Sequence, residues 1–122
     1  MVKKLVFGLA LLFGFQIAAS AQLLFNTNAP NWKYFKGRTE ASTPDTTAWR
    51  QLSYNDSAWT TAQAPFWFGD VRPTGTQITD MQNQYTTIYM RRTFTVNDLE
   101  EVSGLRFTYL CDDGFVAWIN GV

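Results

Sequence analysis

Residues 86–96 read Thr-Thr-Ile-Tyr-Met-Arg-Arg-Thr-Phe-Thr-Val, and no stretch beyond residue 21 repeats convincingly with a period of 3.6. That combination points the chain toward strands: β-branched and aromatic side chains fit a pleated surface, and a surface helix needs the longer period to bury one face. Ile88, Met90, Phe94 and Val96 share one face of the run with Arg92, while Thr87, Tyr89, Arg91, Thr93 and Thr95 share the other. The first face is the drier one and is expected to point at the core. Arg92 interrupts it, which a bulge or a paired, partly exposed guanidinium would explain. Further strands are expected at Trp32–Lys36, Leu105–Leu110 and Phe115–Ile119, the last apolar on both faces and therefore covered on both. Residues 37–85 read largely as loop, with Val71–Gln84 a surface loop poor in apolar anchors. Short strands separated by turn signals indicate an all-β antiparallel sandwich, with the jelly roll as its expected form.

The first residues carry an address. Met1-Val2-Lys3-Lys4 is a basic start, Leu5 to Phe15 is an apolar run of 11 residues, and Ala19-Ser20-Ala21 closes the segment. These are the three regions of a secretory signal peptide spanning residues 1–21, with cleavage before Gln22. An uncleaved anchor is the other reading, but the apolar run is shorter than the roughly 20 residues a spanning helix needs. No Cys follows the cleavage site, which argues against a lipoprotein anchor. The mature module is then 22–122, secreted to the periplasm or the exterior. Without Lys3 and Lys4 it carries eight basic and ten acidic residues, a net charge of −2.

Composition excludes several chemistries. The 122 residues contain no His and one Cys, which removes Ser-His-Asp and Cys-His catalysis, His metal sites and an internal disulfide framework from this stretch. A balance of ten basic and ten acidic residues is not that of a chain that tracks nucleic-acid phosphates. Aromatics at 16% match the charged fraction at 16%, the opposite of a disordered chain. The chain stops at Ile119-Asn120-Gly121-Val122. Asn-Gly between apolar residues is the strongest short hairpin signal, so the domain is expected to continue beyond Val122 with a returning strand.

Two segments offer candidate sites. Ala64-Pro65-Phe66-Trp67-Phe68-Gly69-Asp70 is an aromatic loop bounded by Pro and Gly. Its rings either cap the end of the core or present a face to a sugar ring, with Asp70 and Arg72 bonding hydroxyls. In an extended segment Trp67 points opposite to Phe66 and Phe68, which makes Trp67 the expected exposed ring. Trp32, Trp49, Trp59 and Trp118 are expected in the core. Asp112-Asp113-Gly114 is turn chemistry, and the two carboxylates are also candidates for a structural calcium ion. As adjacent residues they are poorly placed to act as a glycosidase pair, which spans about 5–9 Å. Cys111 reads as a small buried hydrophobe or as half of a disulfide to a partner elsewhere. Asp56-Ser57 reads as a turn before Trp59, and Arg91-Arg92 as a basic pair that meets carboxylates.

The order of these motifs carries a resemblance. Trp32, Trp49, Asn55-Asp56-Ser57-Ala58-Trp59, the Ala64–Asp70 segment, Thr86–Val96 and Cys111-Asp112-Asp113-Gly114-Phe115-Val116-Ala117-Trp118-Ile119-Asn120-Gly121 follow one another across nearly all of the mature chain. The pattern resembles the galactose-binding-domain-like β-sandwich modules of secreted bacterial multidomain proteins, which sit near the N-termini of extracellular phosphoesterases, spore-coat-kinase-like proteins and glycoside hydrolases. The Asp-Asp-Gly stretch is also similar to a lectin-like module of toxins and adhesins that holds calcium and sugar at an Asp pair. The resemblance implies a non-catalytic accessory module that binds a glycan or spaces a downstream catalytic domain of the same chain. Two further readings stay open: the N-terminal part of a secreted hydrolase, either a glycosidase or a metal-dependent phosphoesterase, and an adhesion module with no small ligand.

Overall fold

A computed structural model describes residues 21–100 and 102–122; the leader expected over 1–21 lies, but for Ala21, outside the described residues. The chain is all-β. Its strands are β1 (Trp32–Lys36), β2 (Thr60–Ala62), β3 (Phe66–Trp67), β4 (Thr76–Gln77) and β5 (Ile88–Arg91), with one 3₁₀ turn at Ala48–Arg50. β1 is central in an antiparallel sheet of order β2-β1-β5, and β3 and β4 form a separate parallel pair. No helix among the described residues is long and apolar enough to cross a membrane.

Strand alternation sorts the side chains of the central sheet onto two covered faces. Tyr34 pairs with Met90 and Phe35 with Tyr89, so successive residues of β1 and β5 point to opposite sides. On one side Tyr34 packs with buried Ile78 and Tyr85 and with Ala62, Phe66, Met81, Ile88 and Met90. On the other, Phe35 and Tyr89 meet buried Trp49, Trp59 and Ala41, flanked by Tyr54 and Trp118. The even face of 86–96 therefore points at a core as expected, but the odd face does too. The residues that cover it come from the long irregular segment between β1 and β2.

That segment holds its shape through local polar bonds rather than secondary structure. The buried Ser42 hydroxyl donates to the Asp45 carbonyl (2.6 Å) and accepts from the Trp49 amide (3.2 Å). The Asp45 carboxylate accepts from the Thr47 amide (2.8 Å) and hydroxyl (2.7 Å), an Asx turn. The Tyr54 hydroxyl donates to the Ala41 carbonyl (2.8 Å). Trp49 then stacks edge-on to Tyr89 at 5.1 Å and to Trp118 at 5.3 Å, and Trp59 lies 5.5 Å from Phe35. Aromatic pairs of this kind add about 0.5–1.5 kcal/mol each beyond area burial. Trp49 and Trp59 are buried and Trp32 and Trp118 half-buried.

Three expectations are corrected. First, residues 71–84 are not only surface loop: Ile78 is 3% exposed and sits at the centre of one core, because its amide extends the β3–β4 ladder to the Trp67 carbonyl (2.8 Å). Second, Leu105–Leu110 and Phe115–Ile119 form no ladder. Leu110 is 97% exposed and Val116 71% exposed, so 115–119 is not a covered central strand. β-propensity reports packing against a neighbour, and among the described residues no strand pairs with either segment. Their rings gather on each other instead, with Tyr109 and Phe115 centroids 3.9 Å apart. Third, Cys111 is exposed rather than buried. The Asn-Gly turn is present: Asn120 and Gly121 both have positive φ (52° and 88°), and Ile119 and Val122 exchange both backbone bonds (3.0 and 3.1 Å). That is the primed geometry that suits hairpins.

The guanidinium of Arg91 ties the sheet to the aromatic layer. Its Nε donates to the Asp56 carboxylate at 2.9 Å, and Nη1 donates to the Trp49 carbonyl and, at 3.0 Å, to the Gln51 carbonyl. Asp56 thus does more than turn chemistry; within the turn itself Asn55 caps the Ser57 amide (3.0 Å), and the Asp56 carbonyl takes the Trp59 amide (2.9 Å).

Two stability measurements follow from this packing. Ile78→Ala is expected to cost about 2–4 kcal/mol in chemical denaturation, against less than about 0.5 kcal/mol for Val71→Ala at a fully exposed position. Equal, small losses would return 71–84 to the surface. Asp56→Ala is expected to cost about 1–3 kcal/mol by stranding a largely buried guanidinium, and Asp56→Asn less, because its carboxamide still accepts one bond.

Candidate functional site

The aromatic segment forms an arch between two short parallel strands. Phe66 pairs with Thr76 and Trp67 with Gln77, and the Thr76 amide donates to the Pro65 carbonyl (2.8 Å). Residues 68–75 therefore leave and re-enter at one place. Gly75 makes the return, with φ +97°, and a Cβ there would lie 2.1 Å from the Pro65 carbonyl oxygen. The arch is pinned on its flank by Thr74, whose hydroxyl donates to the Asn28 carboxamide oxygen (3.2 Å), and at its foot by Thr76, whose hydroxyl donates to the Gln63 carbonyl (2.7 Å).

The exposed ring on this arch is Phe68, not Trp67. Phe66 faces the core, 5.2 Å from the Tyr34 ring. Trp67 is half-buried, and its indole N–H is enclosed with no partner among the described residues. Phe68 is 43% exposed. Alternation places Phe66 correctly but not Trp67, the expected exposed ring, nor Phe68, which follows the end of β3, is no longer bound by the pleat and does not return to the core. Asp70 and Arg72 lie just beyond, exposed and paired at 3.6 Å. An ion pair this open contributes little to stability and can exchange its bonds for a ligand's. Val71 between them is fully exposed.

The other candidate pair is an exposed turn. Asp112 accepts the Asp113 amide on its own carboxylate (3.1 Å), and Asp113 has φ 73°. Calcium takes about six to eight oxygens, and among the described residues no third carboxylate, His or Cys gathers with this pair. Two carboxylates, one of them engaged locally, do not by themselves fit a calcium site.

One polar cluster escaped the sequence reading. The Asp80 carboxylate accepts from Lys36 Nζ (2.8 Å), Arg38 Nη2 (2.8 Å) and the Tyr85 hydroxyl (2.7 Å). Lys36 and Arg38 alternate onto one side of the β1 end, which is legible, but their partner stands more than forty residues away. The bond from Lys36 and then that from Tyr85 hold the Asp80 carboxyl far below the usual carboxylate range, with Arg38 adding to them. Burial, followed by the bond to Asp80, pushes the Tyr85 phenol up to about 12. A groove of about 330 Å³ runs past Lys36, Arg38, Phe35 and Trp59, but the two cations on it are already engaged by Asp80.

Comparison with known protein families, with curated proteins and with solved structures finds no match to this chain.

The cluster sets the pH response. Asp80 has a depressed folded pKa, so its contribution is intact above the ordinary carboxylate value of 3.8 and lost as pH falls below it. Tyr85 has a raised folded pKa, so its contribution is full below the ordinary phenol value of 10.0 and lost as pH climbs toward about 12. Thermal melts across pH are expected to show a flatter acid limb for Asp80→Asn and a flatter alkaline limb for Tyr85→Phe than for the unmodified chain. Parallel curves in all three would remove the cluster from the pH response.

Proposed function

We propose that this chain is a non-catalytic accessory module of a secreted protein, a jelly-roll sandwich of the galactose-binding-domain-like kind, and that it binds carbohydrate on the 66–72 arch. The observation that carries the reading is an exposed Phe68 ring and, two residues on, the exposed Asp70–Arg72 pair, all on one pinned arch. An aromatic face takes the C–H surface of a sugar ring. A carboxylate accepts and a guanidinium donates, so together they meet both sides of a hydroxyl's bonding capacity. Ligand sites of this type rest on a scaffold that holds the loop, and the bonds made by Thr74, Thr76 and the Pro65 carbonyl do so here. The sandwich reading draws support from the β3–β4 pair lying against the central sheet through Phe66 and Tyr34. Phe68 replaces Trp67 as the stacking ring.

The test is a glycan array probed with the full chain. Binding to a sugar is expected, with Phe68→Ala and Arg72→Ala each weakening it at least about tenfold, as loss of a ring face or a charged hydrogen bond does, at an unchanged melting temperature. A folded chain that binds no glycan, or binds equally well without the Phe68 ring, sinks the reading.

A further inference from the structure

A second concavity, of about 340 Å³, lies where the described chain begins, bordered by Leu23, Phe25, Asn26, Asn28, Pro30 and Arg92. That volume is at the lower end of the roughly 300–1,000 Å³ found for small-molecule sites. Among the described residues Arg92 is the only charged one on its wall. The guanidinium lies over two rings, 5.3 Å from the Phe25 centroid and 5.7 Å from that of Trp32. These rings in turn meet edge-to-face at 5.6 Å. One Nη donates to the Pro30 carbonyl, and Nε is enclosed without a partner. Among the described residues no carboxylate pairs with Arg92, whereas its neighbour Arg91 has Asp56.

The polar side chains of this pocket offer mainly donors. Four of the carbonyl oxygens around it are engaged: Asn26 by the Ala29 amide (3.1 Å), Asn28 by Gln63 Nε2 (3.0 Å), Ala29 by the Ala64 amide (3.1 Å) and Pro30 by Arg92. Both carboxamide oxygens are taken as well, that of Asn26 by the Asn28 amide (2.9 Å) and that of Asn28 by the Thr74 hydroxyl (3.2 Å). Those bonds fix which way each carboxamide faces. What the polar side chains have left are donors: the two side-chain NH₂ groups and most of the five N–H of the guanidinium. A cation, free side-chain donors and an apolar wall are together the complement of a carboxylate on an apolar body, since a carboxylate only accepts and meets a guanidinium bidentately.

We propose that this pocket binds a small organic acid, its carboxylate on Arg92 with the Asn26 and Asn28 amides donating to it and its apolar body against Phe25 and Leu23. The site meets the glycan arch at Asn28, whose carboxamide oxygen accepts from Thr74, but it uses none of the residues proposed to touch the sugar. Benzoate and benzamide, which have one shape and differ in charge, test it by calorimetric titration of the full chain. Saturable benzoate binding is expected, with benzamide at least about tenfold weaker. Arg92→Gln should weaken benzoate by a similar factor, but it also disturbs the ring stack. Asn28→Asp avoids that difficulty: it keeps the acceptor for Thr74, replaces a donor with a negative charge, and should weaken benzoate at least about tenfold at an unchanged melting temperature. Equal binding of benzoate and benzamide, full benzoate binding by Asn28→Asp, or no saturable binding of benzoate by the folded chain would overturn the proposal.

Discussion

The guanidinium of Arg91 is the point on which the two halves of the described chain meet. It leaves the last residue of β5 and ends among the carbonyls of Trp49 and Gln51 and the carboxylate of Asp56. The segment it reaches has no ladder of its own, only the 3₁₀ turn and Asx-type bonds, so nothing in its backbone fixes its distance from the sheet. A charged donor held in place by three acceptors does that. Hydrogen bonds to charged groups are worth about 1.5–3 kcal/mol, and removing the acceptor from an enclosed cation costs its desolvation as well. Once the segment is docked, Trp49 and Trp59 close over Phe35 and Tyr89. The sheet, only three strands wide, then has apolar cover on both faces, which a sheet that small needs for stability.

Arg92, one residue on, keeps the alternation past the end of the ladder. It stands one step beyond the Lys33–Arg91 pair, opposite Trp32 and on the side of Tyr34 and Met90, and its guanidinium lies over Trp32 and Phe25. Sequence alternation placed it on the dry face and asked for a bulge or a paired cation. The resolution is a third one, in which the aromatic rings and a backbone carbonyl take the place of a carboxylate. At the end of β3 the period fails instead: Phe68 follows the Trp67–Gln77 pair and stays exposed, where no ladder bond enforces the alternation.

The strand at 32–36, the turn chemistry at 120–121 and the inward Trp49 and Trp59 were legible because each is a local property: a periodic run, a dipeptide that tolerates positive φ, a large apolar surface. The buried Ile78 was not, since a lone Ile among Thr and Gln has no period, and its burial comes from a ladder bond to Trp67. Asp80 with Lys36 and Arg38 was equally hidden, because the pairing depends on where a distant loop returns. Residues 105–119 failed in the opposite direction. Their composition is that of strands, but strand formation needs a partner backbone, and among the described residues none pairs with them. The arch was legible as a candidate site and not in its choice of ring.

Arginine use separates structural from available charge. Arg38 lies over Tyr85, Arg50 over Trp118 at 4.1 Å, Arg91 over Tyr54, and Arg92 over Phe25 and Trp32. An aromatic-rich, charge-poor chain can seat its cations on ring faces, where a weakly hydrated guanidinium stacks at little desolvation cost. Stacking fixes the plane of the group but leaves its edge free to donate. Where that edge meets protein acceptors, as for Arg91, the residue is structural. Arg92 has one carbonyl and, among the described residues, no carboxylate, so its remaining donors are organised before any ligand arrives, and pre-organised donors lose less on binding. Arg72 is the contrast: no ring lies under it, Asp70 holds it loosely at 3.6 Å, and both are in water. Binding there would depend on the Phe68 face for most of its strength, and the ion pair would supply direction.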